Sequence, residues 1–189
     1  MIKNIYLLRH GLTLDSENAI NGSQRDTPLS EKGLIQASDL VTKLSNYDFD
    51  LVIVSPLKRT MQTIQPYIDS LEHKPEVISS ALTIERNLGD LSGSVTGDGR
   101  VDASVAASGK AKTDWQPPNG ESTRQVYLRA QQFLEYLKNR NELNILVCGH
   151  QNFLRCLEIV LTNRTFNDRS FYSDSPARLD FCEVRKYQI

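Results

Sequence analysis

The chain has 189 residues, 39% of them apolar, with seven prolines and 22 basic against 23 acidic side chains for a formal net charge of -1. That length suits one domain with a full core, and the apolar content excludes wholesale disorder. Balanced charge provides no broad field for nucleic acid or an anionic membrane, so any anion recognition must come from a few placed side chains.

Ile2, Ile5, Tyr6, Leu7 and Leu8 predict a buried strand over residues 2–8 that ends in Arg9-His10-Gly11. Residues 15–28 are polar, include Asn21-Gly22 and read as a loop. Pro28-Leu29-Ser30-Glu31-Lys32-Gly33 opens a helix with Ser30 as N-cap, and Leu34, Ala37, Val41 and Leu44 supply its predicted buried stripe. The β-rich run 51–54 exits through Ser55-Pro56-Leu57-Lys58-Arg59 into a helix bearing Met61, Ile64, Ile68 and Leu71. Val77 and Ile78 mark a third strand.

Residues 86–120 are glycine-rich and irregular, with a small helix expected over 102–107. The stretch 94–118 reads either as a cover over a binding site or as a disordered insert. Glu121-Ser122-Thr123 then leads a long helix whose Val126, Ala130, Phe133, Leu134 and Leu137 recur at helical spacing. Residues 144–148 predict a strand ending in Gly149-His150, followed by a helix over Gln151–Leu161 and a last strand over 179–184. Phe171-Tyr172 is read as a packing edge, with an exposed dimer contact as the alternative. Cys148, Cys156 and Cys182 lack metal-ligand spacing and read as small buried hydrophobes.

Short β-rich runs alternating with longer helical patterns point to an α/β fold, a sheet covered on both faces by helices. Ligands of such folds collect beyond the carboxyl ends of the strands, where Arg9-His10, Arg59 and Gly149-His150 all leave. Displacement at a phosphomonoester needs fixed positive charge on the nonbridging oxygens, an in-line attacking atom and a proton for the leaving oxygen. Arg9 and Arg59 can supply forked donors, His10 a ring-nitrogen nucleophile and His150 a further phosphate contact. Glu85, just before the glycine-bearing 86–93 stretch, is the candidate acid. Each residue alone also has a plain structural reading: a hydrogen-bonded strand-end histidine, a helix-surface arginine, or Arg86 paired with Asp90. Phosphate satisfies the set jointly, because buried arginine requires an anion.

Together these segments resemble the histidine phosphatase superfamily, the phosphoglycerate mutase-like family. Arg9-His10-Gly11 resembles its nucleophile motif, and residues 26–33 the helix-leading segment that follows. Residues 55–63 resemble the segment supplying the second phosphate arginine, Glu85 with Gly89 and Gly93 the acid-donor region, and Gly149-His150 the second-histidine motif. The resemblance spans about residues 2 to 160. It implies a three-layer α/β/α sandwich with a mostly parallel central sheet, and a phosphohistidine mechanism that requires no metal or cofactor. In it His10 is the nucleophile, Arg9, Arg59 and His150 hold phosphate, and Glu85 is the acid. Asn18, Asn21, Ser23 and Arg86 are further candidates for substrate contact, and Arg100, Lys110, Lys112 and Trp115 are weaker ones.

The chain departs from the family pattern at Leu12, usually polar, at Asp15-Ser16, where many relatives carry Trp-Asn, and at Gln151, commonly glycine. The expectation is a single domain over 1–189 that hydrolyses a small phosphorylated metabolite, a sugar phosphate or related compound. A mutase and a phosphate-binding regulatory domain are the alternatives. With neither a leader nor a spanning segment apparent, the expected setting is cytoplasmic, without nucleic-acid or membrane partners.

Overall fold

A computed structural model describes residues 2–173 and 178–189. Five strands form one sheet in the order β3-β2-β4-β1-β5. Strand β1 (Asn4–Arg9) pairs in parallel with β4 (Asn144–Gly149), which pairs in parallel with β2 (Leu51–Val54), which in turn pairs with β3 (Glu76–Ser79). Strand β5 (Val184–Gln188) closes the edge antiparallel to β1.

Side chains alternate across a strand, so a run apolar at every position must be buried on both faces. Ile5, Leu7, Ile53, Ile145 and Val147 enter one core with Val126, Phe133, Phe153 and Leu157, from α5 (Thr123–Lys138) and α6 (Gln151–Leu161). Tyr6, Leu8, Val52, Val54 and Leu146 enter the other with Leu40, Ile64 and Tyr67, from α2 (Glu31–Lys43) and α3 (Lys58–Ser70). Helices thus cover both faces of a mostly parallel sheet, the three-layer α/β/α architecture expected. All three cysteines are free and buried. No helix among the described residues is long and apolar enough to cross a membrane.

The predicted Ser30 cap forms, and α5 carries a cap of its own. Ser30 Oγ accepts the Gly33 N–H at 3.2 Å, and Ser122 and Gln125 make a reciprocal capping box at the start of α5. Position 33 has room only for glycine: a Cβ there would lie 2.0 Å from the Leu12 carbonyl oxygen. Ser30 N–H also donates to Leu12 O, and Leu12 N–H donates to Gln36 Oε1. The loop leaving β1 is therefore clamped directly onto the first turn of α2.

Three local expectations need correction. The 15–28 loop begins with one helical turn, α1 (Leu14–Glu17), capped by Thr13. The buried stripe of α2 is Gly33, Ala37, Leu40 and Leu44, whereas Leu34 is half exposed, because the helix is rotated to press Gly33 onto Leu12. The final strand runs over Val184–Gln188, not 179–184; Leu179 and Cys182 are buried in the turn before it. The packing edge expected at Phe171-Tyr172 is present: Phe171, in α7 (Asp168–Tyr172), is buried against Phe166 and Tyr172, which leaves the alternative of an exposed dimer pair without support. The small helix expected over 102–107 extends over Arg100–Ser108 as α4, with no buried residue.

Candidate active site

Adjacent parallel strands end side by side, and that alone brings the two histidines together. Arg9 of β1 lies opposite Gly149 of β4, and His10 N–H donates to the Gly149 carbonyl at 3.1 Å. The rings of His10 and His150 stand 5.1 Å apart, centre to centre, at 60°. Arg59 arrives from the first turn of α3, after the buried strand β2.

Hydrogen bonds assign the two rings opposite tautomers. His10 Nδ1 lies 2.7 Å from the Gly11 carbonyl, which can only accept, so Nδ1 holds the proton and Nε2 keeps its lone pair. Arg59 Nε, which can only donate, lies 3.1 Å from His150 Nδ1; the proton of His150 is therefore on Nε2. That Nε2 is buried with no partner among the described residues. The pair thus combines one unshared electron pair with one uncommitted donor.

Arg59 also donates from Nη1 to Arg25 O at 2.7 Å and from Nη2 to Ser23 O at 2.9 Å. Each of those nitrogens keeps a second N–H. Arg9 donates to Leu179 O at 2.8 Å and lies against the Phe181 ring, 3.8 Å from its centre, while its Nε is buried without a partner among the described residues. Carbonyls and a ring thus hold the two guanidiniums, and the carboxylate acting most strongly on both is Glu85. Burial lowers the Arg9 pKa to about 10, which leaves it charged at neutral pH.

Both imidazoles are held neutral. Burial, then the positive charges of Arg59 and Arg9, push His10 down to about 3, and burial followed by Arg59 pushes His150 well below its ordinary value. The consequence for stability has a definite sign. Above about pH 6.5 folded and unfolded chains bind no proton at these rings; below it the unfolded chain binds protons that the folded one refuses. Stability should fall by about 1.4 kcal/mol per pH unit through His10 as the pH drops from about 6.5 towards 3, and His150 contributes a fall of the same sign. Urea unfolding between pH 6 and 4.5 should therefore show a shallower slope in His10→Asn and His150→Asn than in the parent. Identical slopes would mean the rings are protonated in the fold.

Glu85 follows a 3-10 turn (Ala81–Thr83) and is buried; its Oε1 accepts Arg86 N–H at 2.7 Å and its Oε2 accepts Asn152 N–H at 3.3 Å. Arg9, His10, Arg59 and Glu85 line one cavity of about 400 Å³, together with Thr13, Asp15, Ser16, Asn21, Ser23, Arg86, Gln151, Asn152 and Arg178. Segments from both ends of the chain and its middle meet there.

The other sequence candidates divide. Ser23 lines the cavity in a left-handed backbone conformation, φ 49°, with its hydroxyl donating to Arg86 O and accepting Leu88 N–H, so it braces the wall. Asn21 lines it too, but its amide is bonded to Ser94 and Thr96. Asn18 is exposed outside the lining, and its amide donates to Leu14 O. Arg86 lines the cavity without pairing with Asp90; its donors go to the Glu121 and Trp115 carbonyls. Trp115 is buried packing, and Arg100 and Lys112 pair with Asp98 and Asp102; none of these three lines the cavity, nor does Lys110. Leu12 is tied to α2 through its backbone N–H, and Gln151 is an ordinary first residue of α6, so its replacement of glycine brings no backbone strain.

Several contributors were not anticipated. Asp15 is buried in the cavity wall, accepting from Arg25 at 2.9 Å and from Thr27 at 2.6 Å. Asp26 Oδ1 accepts the Lys58 N–H that opens α3, and Gln24 and Arg129 donate to carbonyls at Glu85 and Ile84. A polar 15–28 loop signals contacts of this kind without specifying their partners. Among the described residues, no group of three or more His, Cys, Asp and Glu side chains could hold a metal ion.

The model of the histidine phosphatase superfamily (branch 1) matches residues 5–176. A 2,3-bisphosphoglycerate-dependent phosphoglycerate mutase of Bartonella tribocorum is 30% identical over 169 residues, covering 85% of this chain and 82% of that protein. The fructose-2,6-bisphosphatase TIGAR of Xenopus tropicalis is 34% identical over 134 residues, 69% of this chain and 48% of that protein. The chain spans about half the length of several curated relatives that it matches, between 42% and 52%. The alpha-ribazole phosphatase structure from Shigella flexneri superposes with a TM-score of 0.81 over 97% of this chain and 89% of that one, at 24% identity, and so shares the fold.

Proposed function

Since this chain belongs to branch 1 of the histidine phosphatase superfamily, we propose that it is a phosphatase that hydrolyses a small phosphomonoester through a phosphohistidine at His10. The observation that carries this reading is the opposed pair of tautomers: a lone pair on His10 Nε2 and a buried N–H on His150 Nε2 without a partner among the described residues, close to the charge of Arg59 and Arg9.

His10 Nε2 attacks phosphorus, forming the P–N bond as the ester P–O bond breaks, and Glu85 passes a proton to the departing oxygen. The nonbridging oxygens take donors from Arg9, Arg59 and His150, which stabilises the charge spread over them in the transition state. Glu85, now a carboxylate, removes a proton from water; the water oxygen attacks phosphorus and the P–N bond breaks. Inorganic phosphate leaves and His10 returns to its neutral form. No step calls for a metal or cofactor. We also read residues 1–189 as one domain in which the 94–118 stretch covers the cavity. The Ile20–Val95 bridge and the Asn21 bonds to Ser94 and Thr96 support that role.

Rapid quenching with a labelled phosphomonoester tests the reaction. The expected result is a burst of acid-labile phosphate on His10, decaying at the turnover rate. Turnover without any phosphorylated protein would overturn the mechanism. Arg59→Ala should weaken inhibition by vanadate and raise KM, each by about 10- to 100-fold, as one charged partner of the anion is lost. Unchanged vanadate affinity would remove Arg59 from the phosphate cradle. The resemblance to the Bartonella mutase favours one second reading, return of the phosphoryl group to a phosphoglycerate. Incubation with paired phosphoglycerates separates isomerisation from release of inorganic phosphate.

A further inference from the structure

Gln151 stands in the chain between His150 and Asn152, whose N–H holds Glu85 Oε2 at 3.3 Å. It opens an eleven-residue helix and lines the cavity. Its side-chain oxygen and nitrogen are both buried, and neither has a hydrogen-bond partner among the described residues. A buried carboxamide bare at both ends is costly, and folded proteins almost always satisfy such groups. Nearby backbone groups do not do so here: the Asn152 N–H is engaged by Glu85, and His150 O accepts from Leu154 N–H.

The demand of this group is specific. Whichever way the amide is turned, it offers one acceptor oxygen and one donor nitrogen. A carboxylate or a second phosphate supplies acceptors alone, an ammonium donors alone, and an alkyl chain neither. A hydroxyl supplies both, and a diol can satisfy both ends at once. Glu85, the proton donor to the leaving alcohol in the mechanism above, is bonded to the N–H of the next residue and lines the same cavity, so the part of a substrate offered to this end of the cavity is its leaving alcohol.

We propose that Gln151 is a specificity-determining residue that selects phosphomonoesters carrying a free hydroxyl on the carbon beside the esterified one. The proposal rests on the phosphatase reading above and deepens it, from any small phosphomonoester to a polyol phosphate. Thr13, Ser16 and Thr96 line the same cavity, whose volume of about 400 Å³ suits a small polyol.

The test compares kcat/KM for glycerol 3-phosphate, n-propyl phosphate and p-nitrophenyl phosphate in the parent, Gln151→Leu and Gln151→Gly. The parent should favour glycerol 3-phosphate over propyl phosphate, and both variants should reduce that preference by about tenfold, through KM more than kcat. Intrinsic differences between the two alcohols cancel, since only the change in the ratio is read. A ratio that survives in both variants, or an equal fall for all three substrates, overturns the assignment while parental turnover of p-nitrophenyl phosphate keeps the phosphatase reading standing. If the parent hydrolyses none of the three and forms no phosphohistidine, that reading falls and the role of Gln151 falls with it. Gln151→Gly gives a second determination should the leucine variant fail to fold.

Discussion

Replacement of His10 by Asn is expected to lower kcat by about 10⁴-fold or more and to eliminate the acid-labile phosphoenzyme. Asparagine can still meet the Gly11 carbonyl, but it carries no nucleophilic nitrogen towards phosphorus. Inorganic phosphate should still bind within about tenfold of the parent, because Arg9, Arg59 and the His150 Nε2 donor remain. Loss of turnover with retention of the anion separates a nucleophile from a residue that only shapes the pocket. A His10→Asn protein that still turned over, or that still accepted label from a phosphomonoester, would rule out the covalent route.

Glu85→Gln makes the second large prediction, and its effect should depend on the leaving group. An alkoxide is a poor leaving group without a proton, so alkyl phosphates should lose about 10²- to 10⁴-fold in kcat. A p-nitrophenolate leaves well unaided and should lose far less. Vanadate affinity should not weaken, since Glu85 is the largest negative influence on both Arg9 and Arg59 and its removal leaves the cradle more positive. Equal losses for alkyl and aryl substrates would assign the acid role to another group. The two variants therefore fail differently: His10→Asn stops every substrate, whereas Glu85→Gln sorts them by leaving group.

The chain carries its fold class openly. Apolar runs over β1, β2 and β4, with no polar alternation, are what burial on both faces of a parallel sheet demands, and helical spacing in α5 was legible for the same reason. Helix starts were readable where a side chain caps its own helix, as at Ser30 and Ser122. The start of α3 was harder, because its capping oxygen comes from Asp26, 32 residues earlier. Leu34 misled because helical periodicity alone does not fix the rotation of α2; contact between Gly33 and Leu12 does.

By itself the sequence determined which residue types sit at the strand ends: His10, His150, Arg9 and Arg59, with Glu85 ahead of a glycine-rich stretch. Those are local properties, written in short runs of neighbouring residues. Only the tertiary structure decided which ring nitrogen carries each proton, that Arg86 turns to carbonyls instead of Asp90, and that the buried Gln151 amide has no partner among the described residues. Each of these depends on donors and acceptors that register and packing bring from distant parts of the chain. A hydrogen bond is settled by its partner's position, and no residue's own sequence neighbourhood specifies that.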